Sequence, residues 1–571
     1  MGQTPTVPPA RALKDLEALK LHFGDGAAAR KAGLLGILER ATLNSARDVL
    51  RLHEAAAFLR AYPDDAPLLG IVERLLAGFA NRRDLRRFRR QLDDSGIAGT
   101  EIHYSFYSAT ARRLAARWGQ HLHVHWPLSG PLEKLEDRLP LLASYAETPG
   151  LDEYAMPLAK WVARLKGPGE TDAQFLIRRF ATLGGTQEAR DALFDEMEVW
   201  MTLRPGPTTP SRTTAKFPRP RPHFQTGPLH RGRRDIRGDL AQPPLSIRAV
   251  SLKEGRTLIE LARNAMVTRS RDLDAFIHGD PSDVRLIDCG DGLEFACIGV
   301  LPRRRLMLES VYALLTLRNG VPIGYVLMSA LMGSSEIAYN VFDTWRGGEA
   351  GYVYGRILAL TRALFGSSAF TVYPYQQGGD GNSEGLKAGA WWFYQKLGFR
   401  SRDPAILELM NREMKRMAAR PSHRSSIATL KSLAAGNVYW YAGQPRDDVI
   451  GIFPLYRIGL AITDYLARRF GSDRERGERV CAQEAAALCG ASTWRRWPAD
   501  ERLWWTRWSP LVLILPGVAR WMADEKAALV RVVRAKGGHR ETDFVRLFDA
   551  HRKLRAALRA LVETERRRSG M

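Results

Sequence analysis

Cysteine is scarce in this chain of 571 residues: only Cys289, Cys297, Cys481 and Cys489 occur, and no two form a Cys-x-x-Cys pair. That excludes a disulfide framework and a cysteine zinc centre, and it fits a reducing compartment. Long apolar runs are missing too. The longest near the C-terminus, Leu511 to Leu515 with Val518 and Ala519 beyond a Pro-Gly, falls far short of the ~20 residues that cross a bilayer. The opening Met1-Gly2-Gln3-Thr4-Pro5 leads into a charged helical segment where a secretion signal would carry its apolar stretch. A soluble, cytoplasmic protein without a membrane span is expected. No recognised nucleic-acid-binding motif occurs either.

What is present is a globular composition, 45% apolar, with 85 basic against 62 acidic side chains and a formal charge of +23. Such a charge permits attraction to nucleic acid, anionic lipid or polyanionic substrates without selecting among them. Arginine outnumbers lysine and is scattered through every predicted element, as GC-rich coding alone would leave it. The length suggests about three domains, at roughly 100 to 200 residues each.

The pattern divides the chain into four stretches. Residues 1–202 read as a mostly helical domain: Asn44 can cap a segment in which Val49, Leu52, Ala56 and Leu59 recur at helical spacing, Pro63 follows it, and a second such pattern covers 66 to 79. The basic run Arg82 to Arg90 could hold phosphates, although a solvated helix face around buried Leu85 and Phe88 explains it as well. In His121-Leu122-His123-Val124-His125-Trp126, strand alternation puts three histidines on one face. A metal would need a further partner that the sequence does not identify, so a half-exposed strand is the plainer expectation. Residues 203–246, with nine prolines and eight arginines, predict an extended or disordered linker. Residues 247–420 form the central domain. Residues 421–571 read as helical again, with Gly537-Gly538 breaking a hairpin of helices, a single apolar stripe from Phe544 to Leu561 that includes His551, and six tryptophans between Trp494 and Trp521. Packing is the expected role of that stripe and of those indoles.

Between 284 and 342 the periodicity switches to strands. Val284–Cys289 and Leu293–Val300 flank Gly290-Asp291-Gly292. Ser310–Leu317 and Val321–Ser329 flank Asn319-Gly320, the strongest short hairpin dipeptide. Glu336–Phe342 gives a fifth strand. A helix at 352–364, a strand at 370–373 and a second helix at about 383–397 follow. The fold class expected is α+β: a central mixed antiparallel and parallel sheet with helices, flanked by N- and C-terminal all-helical regions.

Residues 280 to 405 carry a family likeness. Phe393-Tyr394-Gln395-Lys396-Leu397-Gly398-Phe399 resembles the Tyr-x-Lys-x-Gly-Phe ending of a helix and turn in the GNAT superfamily of N-acetyltransferases, and Asn382 is similar in place to the asparagine that opens that helix. The segment Asn340 to Gly351 occupies the position of the family's pyrophosphate loop, where glycines let backbone N–H groups approach a phosphate and a helix N-terminus follows. Glu349 stands where the family pattern has glycine, and the spacing from Asn382 to Tyr394 is longer than the family's, with the extra residues near Gly385 to Gly389.

The resemblance implies an acyl-CoA-dependent N-acyltransferase that uses acetyl-CoA or another acyl-CoA. Asn340, Phe342, Arg346, Gly347, Gly348, Gly351, Tyr352 and Asn382 would hold the donor, and Tyr394 would protonate the departing thiolate. Glu336 and Asp343 are the candidate bases for a small-molecule or peptide amine acceptor. Two other readings stay open at this point. One is a GNAT-like module that binds or scaffolds without CoA, with Glu349 capping its helix or pairing with Arg346. The other is a basic protein that associates with nucleic acid or another polyanion. Trp391 or Trp392 can cover an acyl pocket, and the loop Tyr373 to Asn382 can recognise an acceptor.

Overall fold

A computed structural model describes residues 7–129, 132–219, 221–232 and 234–568; the opening Met1 to Pro5 lies outside them. The chain forms two compact units. Unit 1 holds the residues up to Pro228 together with Leu258–Ile277 and Arg318–Pro322, and unit 2 holds the rest. These divisions do not follow boundaries at 202, 246 and 420. Among the described residues no helix is long and apolar enough to cross a membrane.

Unit 1 opens with helices Pro9–Leu19, Ala27–Arg40, Ala46–Ala61 and Ala66–Ala77. Ser45 rather than Asn44 caps the third, its hydroxyl accepting the Asp48 N–H, and Asp65 caps the fourth. The region is not all-helical. Strands β1 (Ile102–Tyr104), β2 (Leu122–Val124) and β3 (Met201–Leu203) form an antiparallel sheet with β3 in the middle. Leu122 and Val124 face its core. Their histidine neighbours make ordinary polar contacts: His123 Nε2 lies 3.2 Å from the Gln120 carbonyl and His125 Nδ1 3.1 Å from Thr202 Oγ1.

The stretch read as a linker begins with β3, and its next part is held in unit 1. Buried Arg60 donates to the carbonyls of Thr213 (2.7 Å), Ala215 (3.2 Å) and Arg212 (3.4 Å). Thr213 Oγ1 accepts the Ala98 N–H at 2.9 Å and lies 2.9 Å from His53 Nε2. Burial pushes the His53 imidazolium down to about 4, so the ring is neutral at pH 7 and the Thr213 hydroxyl can donate to it. A proline-rich chain without apolar periodicity is thus ordered by satisfying its carbonyls on a buried cation, an interaction that composition does not display.

Unit 2 is built on β4 (Ser246–Ala249), β5 (Gly279–Asp288), β6 (Leu293–Val300), β7 (Ser310–Arg318), β8 (Val321–Leu331), β9 (Ser334–Val341), β10 (Ala369–Val372), β11 (Arg400–Ser401) and β12 (Val438–Tyr441). The order across the sheet is β11-β12-β10-β9-β8-β7-β6-β5-β4. The predicted turns hold, with Asn319 and Gly320 at φ 50° and 77°, and Gly290, Asp291 and Gly292 all at positive φ. β9 and β10 are parallel and joined by the helix Ala350–Phe365, whose Ile357, Leu358, Leu360 and Leu364 share the main core with Phe295, Leu314, Val326 and Ile337.

Three expectations are corrected in unit 2. The region after 420 is not all-helical: Val438-Tyr439-Trp440-Tyr441 forms β12, antiparallel to both β10 and β11. The helix expected at 383–397 is two, Ser383–Ala388 and Ala390–Lys396, because Gly389 adopts φ 64° between them. The C-terminal stripe also breaks. His551 ends the helix Glu541–Ala550, and its Nδ1 accepts the Leu554 N–H of the helix Arg552–Arg568 while Nε2 lies 3.0 Å from the Glu525 carbonyl. The indoles of Trp504, Trp505 and Trp508 are buried and donate to the carbonyls of Pro302, Ala482 and Met307, so they are core residues with satisfied N–H groups.

Candidate functional site

β9 and β10 form a parallel pair in the unit 2 sheet, and this pair opens into a fork. β9 is paired with β8 along its whole length, from Ser334↔Leu331 to Val341↔Gly324. With β10 it pairs only through Ser334↔Ala369, Ser335↔Phe370 and Glu336↔Thr371. From Ile337 to Val341, β9 carries a ladder on one side only. An extended ligand with amide groups can add to such an edge by main-chain hydrogen bonds.

Glu336 stands where the fork begins. Tyr339 meets Tyr354 of the helix Ala350–Phe365, with ring centroids 5.6 Å apart, so strand alternation turns Glu336, Ala338 and Asn340 to the opposite face. There Ser329, its cross-strand neighbour, lies 3.5 Å from Glu336 Oε2, at the outer limit of a hydrogen bond. Burial first, and the charge of Glu309 second, push the Glu336 carboxyl up to about 7. A carboxyl held there is poised to take a proton at neutral pH. Tyr373, immediately after β10, has its hydroxyl raised by burial and then by the charges of Glu336 and Glu309.

At the far end of β9 the chain makes a turn at Asp343–Trp345, passes Gly347 at φ 78° and enters the helix at Ala350. The first-turn N–H groups of Ala350 and Gly351 make no hydrogen bond among the described residues. Such groups give a helix start its affinity for anions. Phe342 packs against Tyr325 and Trp345. Tyr352 stacks on His230 at 4.5 Å, with the Arg234 guanidinium 5.4 Å above its ring. Asn340 Oδ1 is buried without a partner.

Glu349 is 2% exposed, and its carboxylate accepts the His230 N–H at 2.9 Å. It makes no cap bond to its helix. Arg346 pairs instead with Asp343 at 2.8 Å and with Glu384, and donates to the Val341 carbonyl. The Glu349 carboxylate is therefore turned into the protein and not presented to solvent over the glycine turn.

The remaining predicted residues fall in different places. Asp343 is 81% exposed at its side chain and tied to Arg346. The chain turns away after β9, which carries this candidate base off the fork. Asn382 caps Ser383–Ala388, its Oδ1 accepting the Gly385 N–H and its Nδ2 donating to the Tyr375 carbonyl, so both ends of its amide are engaged locally. Tyr394 is 3% exposed, with its ring among Tyr354, Phe393 and Phe399 at 5.2–6.0 Å, and burial alone raises its hydroxyl. Trp391 packs with Ile406 and Met410, and Trp392 donates to Ser425. In the loop after β10, the Gln377 amide donates to the carbonyls of Val372 and Gly436, a structural use.

The structure thus gathers Glu336, Glu309, Ser329 and Tyr373 on one face at the fork, and Tyr394, Tyr354 and Tyr339 on the helix side. Glu309 and Tyr354 carry no local sequence signal, since only the sheet brings them there. The chain matches none of the family models, curated proteins or solved structures with which it was compared.

Proposed function

We propose that unit 2 is an N-acyltransferase of the GNAT type, which transfers an acyl group from acetyl-CoA or a longer acyl-CoA to an amine of a small molecule or peptide. The observation that carries this reading is the fork between β9 and β10 with a near-neutral carboxyl, Glu336, at its root. The order β9, helix Ala350–Phe365, β10, with β12 between β10 and β11, supports it. So does the Tyr394-to-Phe399 motif, which lies on the helix Ala390–Lys396 and the turn after it, between β10 and β11 in the chain.

In this reading the donor's amides run along the free edge of β9. Its pyrophosphate meets the N–H groups of Ala350 and Gly351 beside Arg346. Glu336 accepts the proton that the amine nitrogen sheds as the new C–N bond forms. The C–S bond then breaks and the thiolate takes the Tyr394 proton, after which solvent exchange returns a proton from Glu336 to Tyr394. The Glu349 carboxylate is engaged by the His230 N–H instead of capping the helix start.

Tyr394→Phe is expected to lower kcat by about tenfold or more while leaving acyl-CoA affinity unchanged, measured by steady-state kinetics beside equilibrium titration. Kinetics equal to wild type would remove Tyr394 from the mechanism.

A further inference from the structure

The basic run Arg82 to Arg90 has no part in the acyl-transfer reading, yet the fold does more than expose it to solvent. Within unit 1, Arg86 at the end of the helix Arg83–Arg87 and Arg89 in the next turn line a cavity of about 490 Å³. Its remaining wall comes from the loop Ile97–Thr100 and the proline-rich segment 203–214, with Leu85, Ile97 and Pro205 supplying apolar surface. No carboxylate lines it. Arg86 has only a 3.5 Å contact with Asn81, and Arg89 forms no ion pair among the described residues. Thr214, also on the wall, makes no hydrogen bond there, nor does the Gly99 N–H.

A second arginine-lined cavity, in unit 2, carries carboxylates in its wall, although Arg457, Arg555 and Arg566 line it as well. Arg446 and Arg559 there are both taken by Asp448, and Asp447 and Glu563 share the lining. Arg82, at the head of the basic run, is likewise consumed by Asp84, which also accepts the N–H groups of Leu43 and Leu85. Arg86 and Arg89 differ in having neither a carboxylate partner nor a carboxylate in the shared wall.

We propose that this cavity binds a small phosphomonoester: the two guanidiniums, the Gly99 N–H and the Thr214 hydroxyl take the phosphate oxygens, and an apolar body lies against Leu85, Ile97 and Pro205. Planar guanidiniums are suited to bidentate contact with phosphate oxygens. The volume is that of a small-ligand site. A partly open recess between two loops, with Arg86, Arg89 and Thr214 exposed at its mouth, suits a compact ligand better than a polymer backbone, which would need an extended basic track.

The test is calorimetric titration of the full chain at physiological salt with 1-naphthyl phosphate, inorganic phosphate and 1-naphthol. Saturable one-to-one binding is expected for 1-naphthyl phosphate, with inorganic phosphate weaker and 1-naphthol weaker still. The pair Arg86→Gln with Arg89→Gln should weaken 1-naphthyl phosphate by about tenfold or more. The pair Arg83→Gln with Arg90→Gln removes the same charge outside the cavity wall and should leave affinity within about twofold. Because glutamine at 86 and 89 alters the packing of the run, Arg86→Lys with Arg89→Lys serves as the second variant. It keeps the charge, loses the planar fork, and should weaken binding several-fold. Equal loss in both glutamine pairs, absence of saturation, or undiminished binding in the lysine pair would overturn the proposal. So would retention on duplex DNA or on phosphatidic acid vesicles that falls equally in both glutamine pairs, since that pattern means generic charge.

Discussion

Glu336→Gln should lower kcat/KM for an amine acceptor by about 10²- to 10⁴-fold, the range supplied by a positioned general base, with acyl-CoA affinity unchanged. The wild-type rate should rise with pH through about 7, the value to which burial and Glu309 push this carboxyl, and flatten above it. In the variant that limb should vanish. The same substitution should affect stability in the opposite sense. With a folded value near 7 against an ordinary 4.5, the native state holds a proton that the unfolded state releases between those pH values. The stability contributed by this group is therefore full below pH 4.5 and is lost as pH rises through about 7. Glutamine has no charge to bury, so at pH 8 the variant should be more stable than wild type by up to about 2–3 kcal/mol. Urea titrations at pH 5 and pH 8 check this. An enzyme that gains stability and loses rate by one substitution carries a working group there. A slower variant that is also less stable at pH 8 would mark Glu336 as structural.

The second large effect is expected in the buried polar network of unit 2. Asp283, fully buried, accepts the Tyr312 hydroxyl at 2.5 Å, the Arg285 guanidinium at 3.0 Å and the Glu541 N–H at 3.2 Å. Gly299 leaves room for it, since a Cβ there would lie 2.3 Å from Asp283 Oδ2. The Tyr312 hydroxyl in turn receives the Thr542 N–H, and Lys536 pairs with Glu541 at 2.5 Å with both side chains out of solvent. Burial pulls the Lys536 ammonium below its ordinary range, against the attraction of Glu541. The helix Glu541–Ala550 is thus bound to β5 and β7 through buried polar atoms. Asp283→Ala strands the Arg285 charge and removes an acceptor from three donors, which should cost about 3–5 kcal/mol in chemical denaturation. Asp283→Asn keeps an acceptor of the same shape and should cost less. If the two variants lose the same small amount, the network contributes nothing specific to the docking of that helix.

Much of the large sheet was legible because short-range chemistry and long-range order agree there. Asn319-Gly320 and Gly290-Asp291-Gly292 reach positive φ, as hairpin turns require, and the runs beside them alternate as strands. β12 is weakly marked in the sequence because Val438-Tyr439-Trp440-Tyr441 is only one short run amid helices, although Gly436 and Gly443 bracket it and its residues favour strands. The order of the proline-rich stretch is hidden from composition for a different reason. Its order comes from Arg60, far away in sequence, which donates to three carbonyls of that segment.

For the site, the position of Glu336 could be read from the strand pattern. Its environment could not, since Glu309 reaches it only once the sheet is formed. Asp343 shows the converse: sequence proximity to the end of β9 suggested a place beside the fork, whereas the turn Asp343–Trp345 leads its side chain into solvent. Glu349 looked like an obstruction because the side-chain direction was not encoded locally. It is the His230 N–H that draws it inward.

The central claim is that the fork between β9 and β10 accepts an acyl-CoA, and titration calorimetry of the full chain with acetyl-CoA, CoA and a long-chain acyl-CoA tests it most directly. Saturable binding of at least one acyl-CoA, with weaker binding when Gly351→Pro removes the Gly351 N–H from the first turn, is the predicted result. No heat with any of the three up to millimolar concentration would contradict it.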